Sequence, residues 1–145
     1  MGAVLDPNVI ISAVLSPEGA PARAIRAWLR GEFELIVSPA LLEELERVFT
    51  YPKLRRRVEP GEADQIFEWL RNTATMAADP DDPPTIRSPD PGDDYLIAIA
   101  EAQRAALVSG DQHLVGLAQS LPIFSPAKFL GLLEKERGSR DRRGS

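Results

Sequence analysis

Two short apolar runs in this chain, Ala3-Val4-Leu5 and Ala105-Ala106-Leu107-Val108-Ser109, each end at a carboxylate and pass straight into a helical pattern. Asp6 closes the first and Gly110-Asp111 the second. Val9-Ile10-Ile11-Ser12-Ala13-Val14-Leu15 follows Asp6, and Leu114-Val115-Gly116-Leu117-Ala118 follows Asp111. A short apolar run followed at once by an amphipathic one reads as a buried strand, a tight turn and a helix. In a parallel sheet such turns form the carboxyl edge, where ligands bind. An acid at that edge has an ordinary use as a helix N-cap, and a chemical one as a metal ligand or catalytic acid.

The same alternation continues. Pro21 opens a helix over Ala22–Arg30 that Gly31 stops,. Glu34-Leu35-Ile36-Val37 reads as a strand, Ser38 as an N-cap, and Pro39 as the first residue of a helix reaching about Thr50,. Glu59-Pro60-Gly61-Glu62 begins another helix, whose apolar contacts are Ile66, Phe67, Trp69 and Leu70. Trp28 and Trp69 both fall in helical apolar patterns and read as core or interface residues. Asp79 to Gly92 is a long loop with five prolines, broken by an extended piece at Thr85-Ile86-Arg87,. The helix Tyr95–Ala102 is apolar nearly all round and should be buried,. Pro122-Ile123-Phe124 is a last short strand, and Ser125-Pro126 starts a closing helix to about Glu134. Residues 137–145 hold four arginines among Gly, Ser and Asp, and are expected to be a disordered basic tail behind a single domain at 1–136,. Strands alternating with helices predict an α/β fold with a parallel sheet and right-handed crossovers.

Composition narrows the chemistry. The 145 residues contain no cysteine and one histidine, His113. Disulfides, thiolate metal sites and imidazole-built zinc sites are excluded. A metal here must be held mainly by oxygen, which points to Mg²⁺ or Mn²⁺. The net charge of −5 argues against broad wrapping of nucleic acid,. A local basic strip is still available at Lys53, Arg55, Arg56 and Arg57,. No apolar run approaches the roughly 20 residues of a membrane span, and a signal peptide pattern is missing. The expected location is the cytoplasm, with no membrane partner.

The remaining acids gather at predictable places. On the helix after Pro39, Leu41, Leu42, Leu45, Val48 and Phe49 fill an arc about 120° wide. Glu43 points away from it, while Glu44 and Glu46 each lie about 40° beyond an edge, so the wheel does not choose between them. Asp90, Asp93 and Asp94 crowd the start of the apolar helix. N-capping and the macrodipole account for one acid there, not for three. A doubly wound sheet can bring Asp6, Asp111, Asp94 and one of Glu44 or Glu46 to one edge. Carboxylates so close repel by several kcal/mol unless neutralised. A divalent cation would neutralise them, lower the pKa of a bound water and steady charge developing on a phosphodiester.

Four motifs, in this order, carry a resemblance to a known family: Val4-Leu5-Asp6-Pro7-Asn8, Ser38-Pro39-Ala40-Leu41-Leu42-Glu43-Glu44-Leu45, Asp90-Pro91-Gly92-Asp93-Asp94-Tyr95-Leu96-Ile97-Ala98-Ile99-Ala100 and Leu107-Val108-Ser109-Gly110-Asp111. Across about residues 3–130 the chain resembles the PIN-domain ribonucleases, especially the VapC-like toxins of bacterial and archaeal toxin–antitoxin pairs. The resemblance implies a three-layer α/β/α fold with a central parallel sheet of about four to five strands. It implies a four-acid Mg²⁺ or Mn²⁺ site made of Asp6, Glu44 rather than Glu46, Asp94 rather than Asp93, and Asp111. Asn8 and Ser109 match polar positions that shape such sites, with Asp93 assisting. It also implies hydrolysis of RNA, a small antitoxin partner and a homodimer. Lys53, Arg55, Arg56 and Arg57 are the RNA-binding candidates.

One position departs from the pattern. The family's first motif usually reads Asp-Thr-Asn, and here Pro7 replaces the Thr, removing a hydroxyl and a backbone N–H beside the first acid,. If those donors orient Asp6, the chain is instead a catalytically weakened module that binds RNA or a protein partner. Phosphotransfer domains also use strand-end aspartates. The phosphatase pattern wants a second Asp where Asn8 stands, however, and receivers want an acidic pair at the first strand.

Overall fold

The computed structural model describes residues 1–118 and 120–138 in full, and the backbone alone from 139 to 144. β1 (Gly2–Leu5) is followed by α1 (Pro7–Leu15) and α2 (Ala20–Leu29). β2 (Glu34–Val37) leads to α3 (Pro39–Phe49), α4 (Pro52–Arg55) and α5 (Pro60–Thr73). After β3 (Thr75–Met76), the long loop ends in a 3₁₀ turn at Pro91–Asp93 that opens α6 (Asp94–Gln103). β4 (Ala106–Val108), α7 (Gln112–Val115), β5 (Ile123–Phe124) and α8 (Pro126–Gly144) complete the chain. All strand pairs are parallel, in the order β3-β2-β1-β4-β5. Helices flank the sheet, giving the expected three-layer α/β/α fold.

Burial explains the sequence of the strands. Ala3, Val4, Leu5, Leu35, Val37, Leu107 and Val108 are all buried, as a sheet covered on both faces requires. Leu96, Ile97 and Ile99 of α6 are likewise buried. Trp28 is buried in α2, whereas Trp69 is 37% exposed on α5. Of the two readings for Trp69, core or interface, the core one is excluded: Phe67 and Leu70 already fill the inward stripe of that helix.

Two further differences have local causes. The fifth strand is Thr75–Met76, pairing Ile36 and Val37, while Thr85–Arg87 forms no strand. Pro83 and Pro84 have no N–H to give a ladder, and the Thr85 N–H goes instead to the Glu101 carboxylate at 3.3 Å. At the other end, α8 passes Glu134 and is helical to Gly144, where a tail from residue 137 was expected. Glu134, Lys135, Glu136 and Arg137 are good helix formers, and Arg137 reaches Glu32 at 3.3 Å. Residue 145 and the side chains of 139–144 lie outside the described residues.

The start of α3 matters most for function, because that helix carries Glu44. Ser38 is fully buried and its hydroxyl accepts the Leu41 N–H at 3.2 Å, with Pro39 first in the helix. Replacing Ser38 by Ala is expected to cost about 1 kcal/mol, read as a lower urea midpoint with an unchanged slope.

Candidate active site

The carboxyl ends of β1 and β4 are neighbours in the sheet, with Leu5 paired to Val108. The chain beyond each strand therefore emerges side by side. Asp6 donates its N–H to the Val108 carbonyl at 2.9 Å and then turns into α1. The residue is only 4% exposed, and its carboxylate is held at both oxygens. One oxygen accepts the Asn8 N–H at 3.0 Å, so the capping role is real. The other accepts the Ser109 hydroxyl at 2.8 Å. The same Ser109 oxygen accepts the Asp111 N–H at 3.0 Å. One buried hydroxyl thus joins the two strand-end acids. Asp111 in turn caps α7 through the His113 N–H at 2.8 Å, which is why that helix begins at Gln112.

Pro7 fits this arrangement. It occupies the first position of α1, where a backbone N–H has no partner in the helix,. The Asp6 carboxylate is oriented without any donor at position 7, by the Asn8 N–H and the Ser109 hydroxyl.

The helix α6 decides between two adjacent acids. Asp93 caps no N–H with its side chain. It faces Asp111 closely enough for a hydrogen bond once one of the two is protonated. Burial, that close contact and the charges of Asp6, Asp111 and Asp90 push its pKa up to about 6. Its Oδ2 is buried without a hydrogen-bond partner. Asp94 points elsewhere. It accepts the Ser88 N–H at 2.7 Å and the Arg87 guanidinium at 3.1 Å. Of the two acids expected here, with Asp94 as ligand and Asp93 assisting, Asp93 lies against Asp111 and Asp94 is engaged by the loop at Arg87 and Ser88.

On α3, Glu44 is the acid turned toward the cluster. Its charge reaches Asp6 and Tyr95, whereas Glu43 and Glu46 are exposed. Arg47 holds the two oxygens of Glu44 at 2.5 and 2.6 Å. Burial raises the Asp6 pKa above its ordinary value, and Asp111 and Glu44 add to the rise against the lowering effect of its two hydrogen bonds. Lys53, Arg55, Arg56 and Arg57 are exposed on α4 and the turn after it. Arg55 lines a cavity of about 340 Å³ between α3 and α5, beside Phe49, Phe67 and Arg71.

Two members of this region escaped the sequence reading. Asp79 accepts the Ala40 N–H at 2.9 Å with one oxygen, at the start of α3. The Tyr95 hydroxyl is buried among Glu44, Asp6, Asp93 and Asp79 with no partner, and burial plus those charges raise its pKa. A buried donor without an acceptor destabilises the fold. Replacing Tyr95 by Phe is therefore expected to raise the melting temperature of the metal-free protein by about 2–4 °C. A lower midpoint would show that the hydroxyl does have a partner in solution.

Could the cluster hold a cation? Its donors are hard oxygens. Among the described residues, neither Asp6 nor Asp93 has an ion-pair partner, and Asp93 Oδ2 is unpartnered. That is the chemistry of a Mg²⁺ or Mn²⁺ site. Among the described residues, no three of these side chains converge into a finished cage. The donor set fits a divalent cation in charge and in kind, with the last approach left to binding.

A PIN domain family model matches residues 2–113, a span that contains Asp6, Glu44, Asp93 and Asp111. The chain belongs to the PIN domain family. Members of this family are usually metal-dependent nucleases, and PIN nucleases act on RNA. The chain is also similar to the uncharacterized protein MJ1680 of Methanocaldococcus jannaschii, with 25% identity over 144 residues and 91% of each chain covered. That likeness covers more of the chain than the family match and adds no activity. Among the described residues of this PIN domain, no helix is long and apolar enough to cross a membrane.

Proposed function

We propose that this PIN domain is a divalent-cation-dependent endoribonuclease, with Asp6, Asp93 and Asp111 as the cation-holding acids and Glu44 beside them. The observation that carries the reading is the mutual crowding of these acids. Burial and neighbouring carboxylates raise the pKa of both Asp6 and Asp93 above the ordinary value. Free energy stored in that repulsion is released when a cation enters.

The protein's own residues do the positioning. Ser109 and the Asn8 N–H fix the two oxygens of Asp6. The His113 N–H and Ser109 fix the side chain and backbone of Asp111. Asp93 faces Asp111 closely and, with Asp6, would hold the cation. When bound, the cation lowers the pKa of the attacking water and steadies charge on the phosphodiester. Hydrolysis then breaks one backbone P–O bond.

The resemblance of the four motifs to VapC-like toxins supports a toxin–antitoxin role, a small antitoxin, a homodimer and a cytoplasmic place of action. An apolar face for such partners is available at Trp69, which lines a groove of about 360 Å³ with Val14 and Ile66. The weakened-module reading rested on Pro7. Orientation of Asp6 by residues 8 and 109 favours the active enzyme over it.

The test is incubation with a mixed-sequence single-stranded RNA in Mn²⁺, Mg²⁺ or EDTA. Cleavage with either cation and none in EDTA is expected. Binding of RNA with no cleavage in any condition, by a protein whose melting temperature rises with Mn²⁺, would favour the binding module.

A further inference from the structure

Among the described residues, Arg47 is the one cation lining the open groove over α3, where Ala40, Glu43, Glu44 and Glu46 supply the rest. Glu44 both lines the groove and lies within charge reach of Asp6. The Arg47 guanidinium is held on both sides. It donates to the two Glu44 oxygens at 2.5 and 2.6 Å and to the Tyr51 hydroxyl at 2.6 Å, and lies 5.8 Å from the Tyr51 ring centre. Its side chain is nevertheless 59% exposed. An exposed ion pair of this kind adds little to stability. It is therefore cheap to break. Arginine's planar fork suits phosphate as well as carboxylate.

We propose that Arg47 is a substrate-positioning residue: its guanidinium is parked on Glu44 in the free protein and transfers to an RNA phosphate, releasing Glu44 to the cation. The proposal rests on the nuclease reading of the acid cluster. It has two parts that must both hold. A cation must compete with Arg47 for Glu44, and an RNA phosphate must bind the guanidinium that is set free. An ordinary surface pair on a helix satisfies neither.

The experiment uses the full chain as wild type, Arg47→Ala, Arg47→Lys and the double variant Glu44→Gln/Arg47→Ala. Mn²⁺ affinity is read from thermal-shift titration. RNA affinity is read with a mixed-sequence single-stranded RNA in Ca²⁺, a hard cation that takes oxygen ligands, at several salt concentrations. Arg47→Ala should bind Mn²⁺ severalfold more tightly, and the gain should vanish in the double variant. The same variant should bind RNA about tenfold more weakly, with a salt slope smaller by about 1. Arg47→Lys keeps the charge but loses the fork, so it should recover the slope and only part of the affinity. Unchanged Mn²⁺ affinity or unchanged RNA affinity in Arg47→Ala would overturn the proposal. Wild-type protein that binds neither Mn²⁺ nor RNA would instead sink the nuclease reading itself. Because the side chain is exposed, the variants should fold, and cooperative melting of each confirms it.

Discussion

Asp93→Asn is expected to abolish RNA cleavage, while Asp94→Asn keeps it. The two acids are adjacent in sequence and opposite in surroundings. Asp93 faces Asp111 and feels the charges of Asp6 and Asp90. Asp94 is occupied by Ser88 and Arg87. Loss of even a partner behind a metal ligand costs about 10–100-fold, so loss of a ligand should cost about a hundredfold or more. Asn at 94 can still accept the Ser88 N–H, and it surrenders only an ion pair with an exposed arginine. Its cost should show as a slightly lower melting temperature. Cleavage rates of the two variants, each checked for cooperative melting, decide the matter. An active Asp93→Asn beside an inactive Asp94→Asn would return the role to Asp94.

The second large effect is a pH dependence that Mn²⁺ reverses. The Asp93 carboxyl titrates near 6 in the folded protein against an ordinary 3.8. The fold therefore holds its proton more tightly than the unfolded chain does. That contribution is fully present below 3.8 and is lost as pH rises through about 6,. Asp6 is shifted in the same direction. In EDTA, the melting temperature of wild type should fall relative to Asp93→Asn between acid and neutral pH, because Asn has no proton to lose. At neutral pH, Mn²⁺ should restore several degrees to wild type by binding the folded state alone. It should do much less for the variant. Parallel pH profiles for the two proteins would mean that Asp93 titrates normally.

Most of the framework could be read from local signals. Val4-Leu5-Asp6-Pro7 and Ile36-Val37-Ser38-Pro39 each state a strand, a cap and a helix start in four residues, and the structure follows them. β3 could not be read this way: two residues, Thr75 and Met76, are too few to show a period. The choice between Glu44 and Glu46 needed the packing direction of α3, which sequence periodicity leaves open by a whole flank. Asp93 and Asp94 could not be told apart this way. α6 is buried over Leu96–Ala100, so both acids stand one turn from buried residues, Asp93 from Ile97 and Asp94 from Ile97 and Ala98,. Asp94 and Glu101, two turns apart, tie down the loop at Ser88 and Thr85, contacts that only the folded loop reveals. The pairing of Arg47 with Glu44 was available as an i,i+3 spacing,. Such pairs are common on solvated helices, so its meaning came only from what Glu44 faces.

The acids of this site rest on two kinds of support. Asp6 and Ser109 extend a paired stretch of adjacent strands, whose separation of about 4.8 Å is a property of backbone hydrogen bonding. Asp93 and Glu44 arrive on helices whose connections differ in length and composition. Half of the site is therefore ruled by the sheet and does not drift when a loop is lengthened or rewritten. The other half can be tuned, by residues such as Asp79 under α3 or Arg87 beside α6, without disturbing the gauge against which it closes.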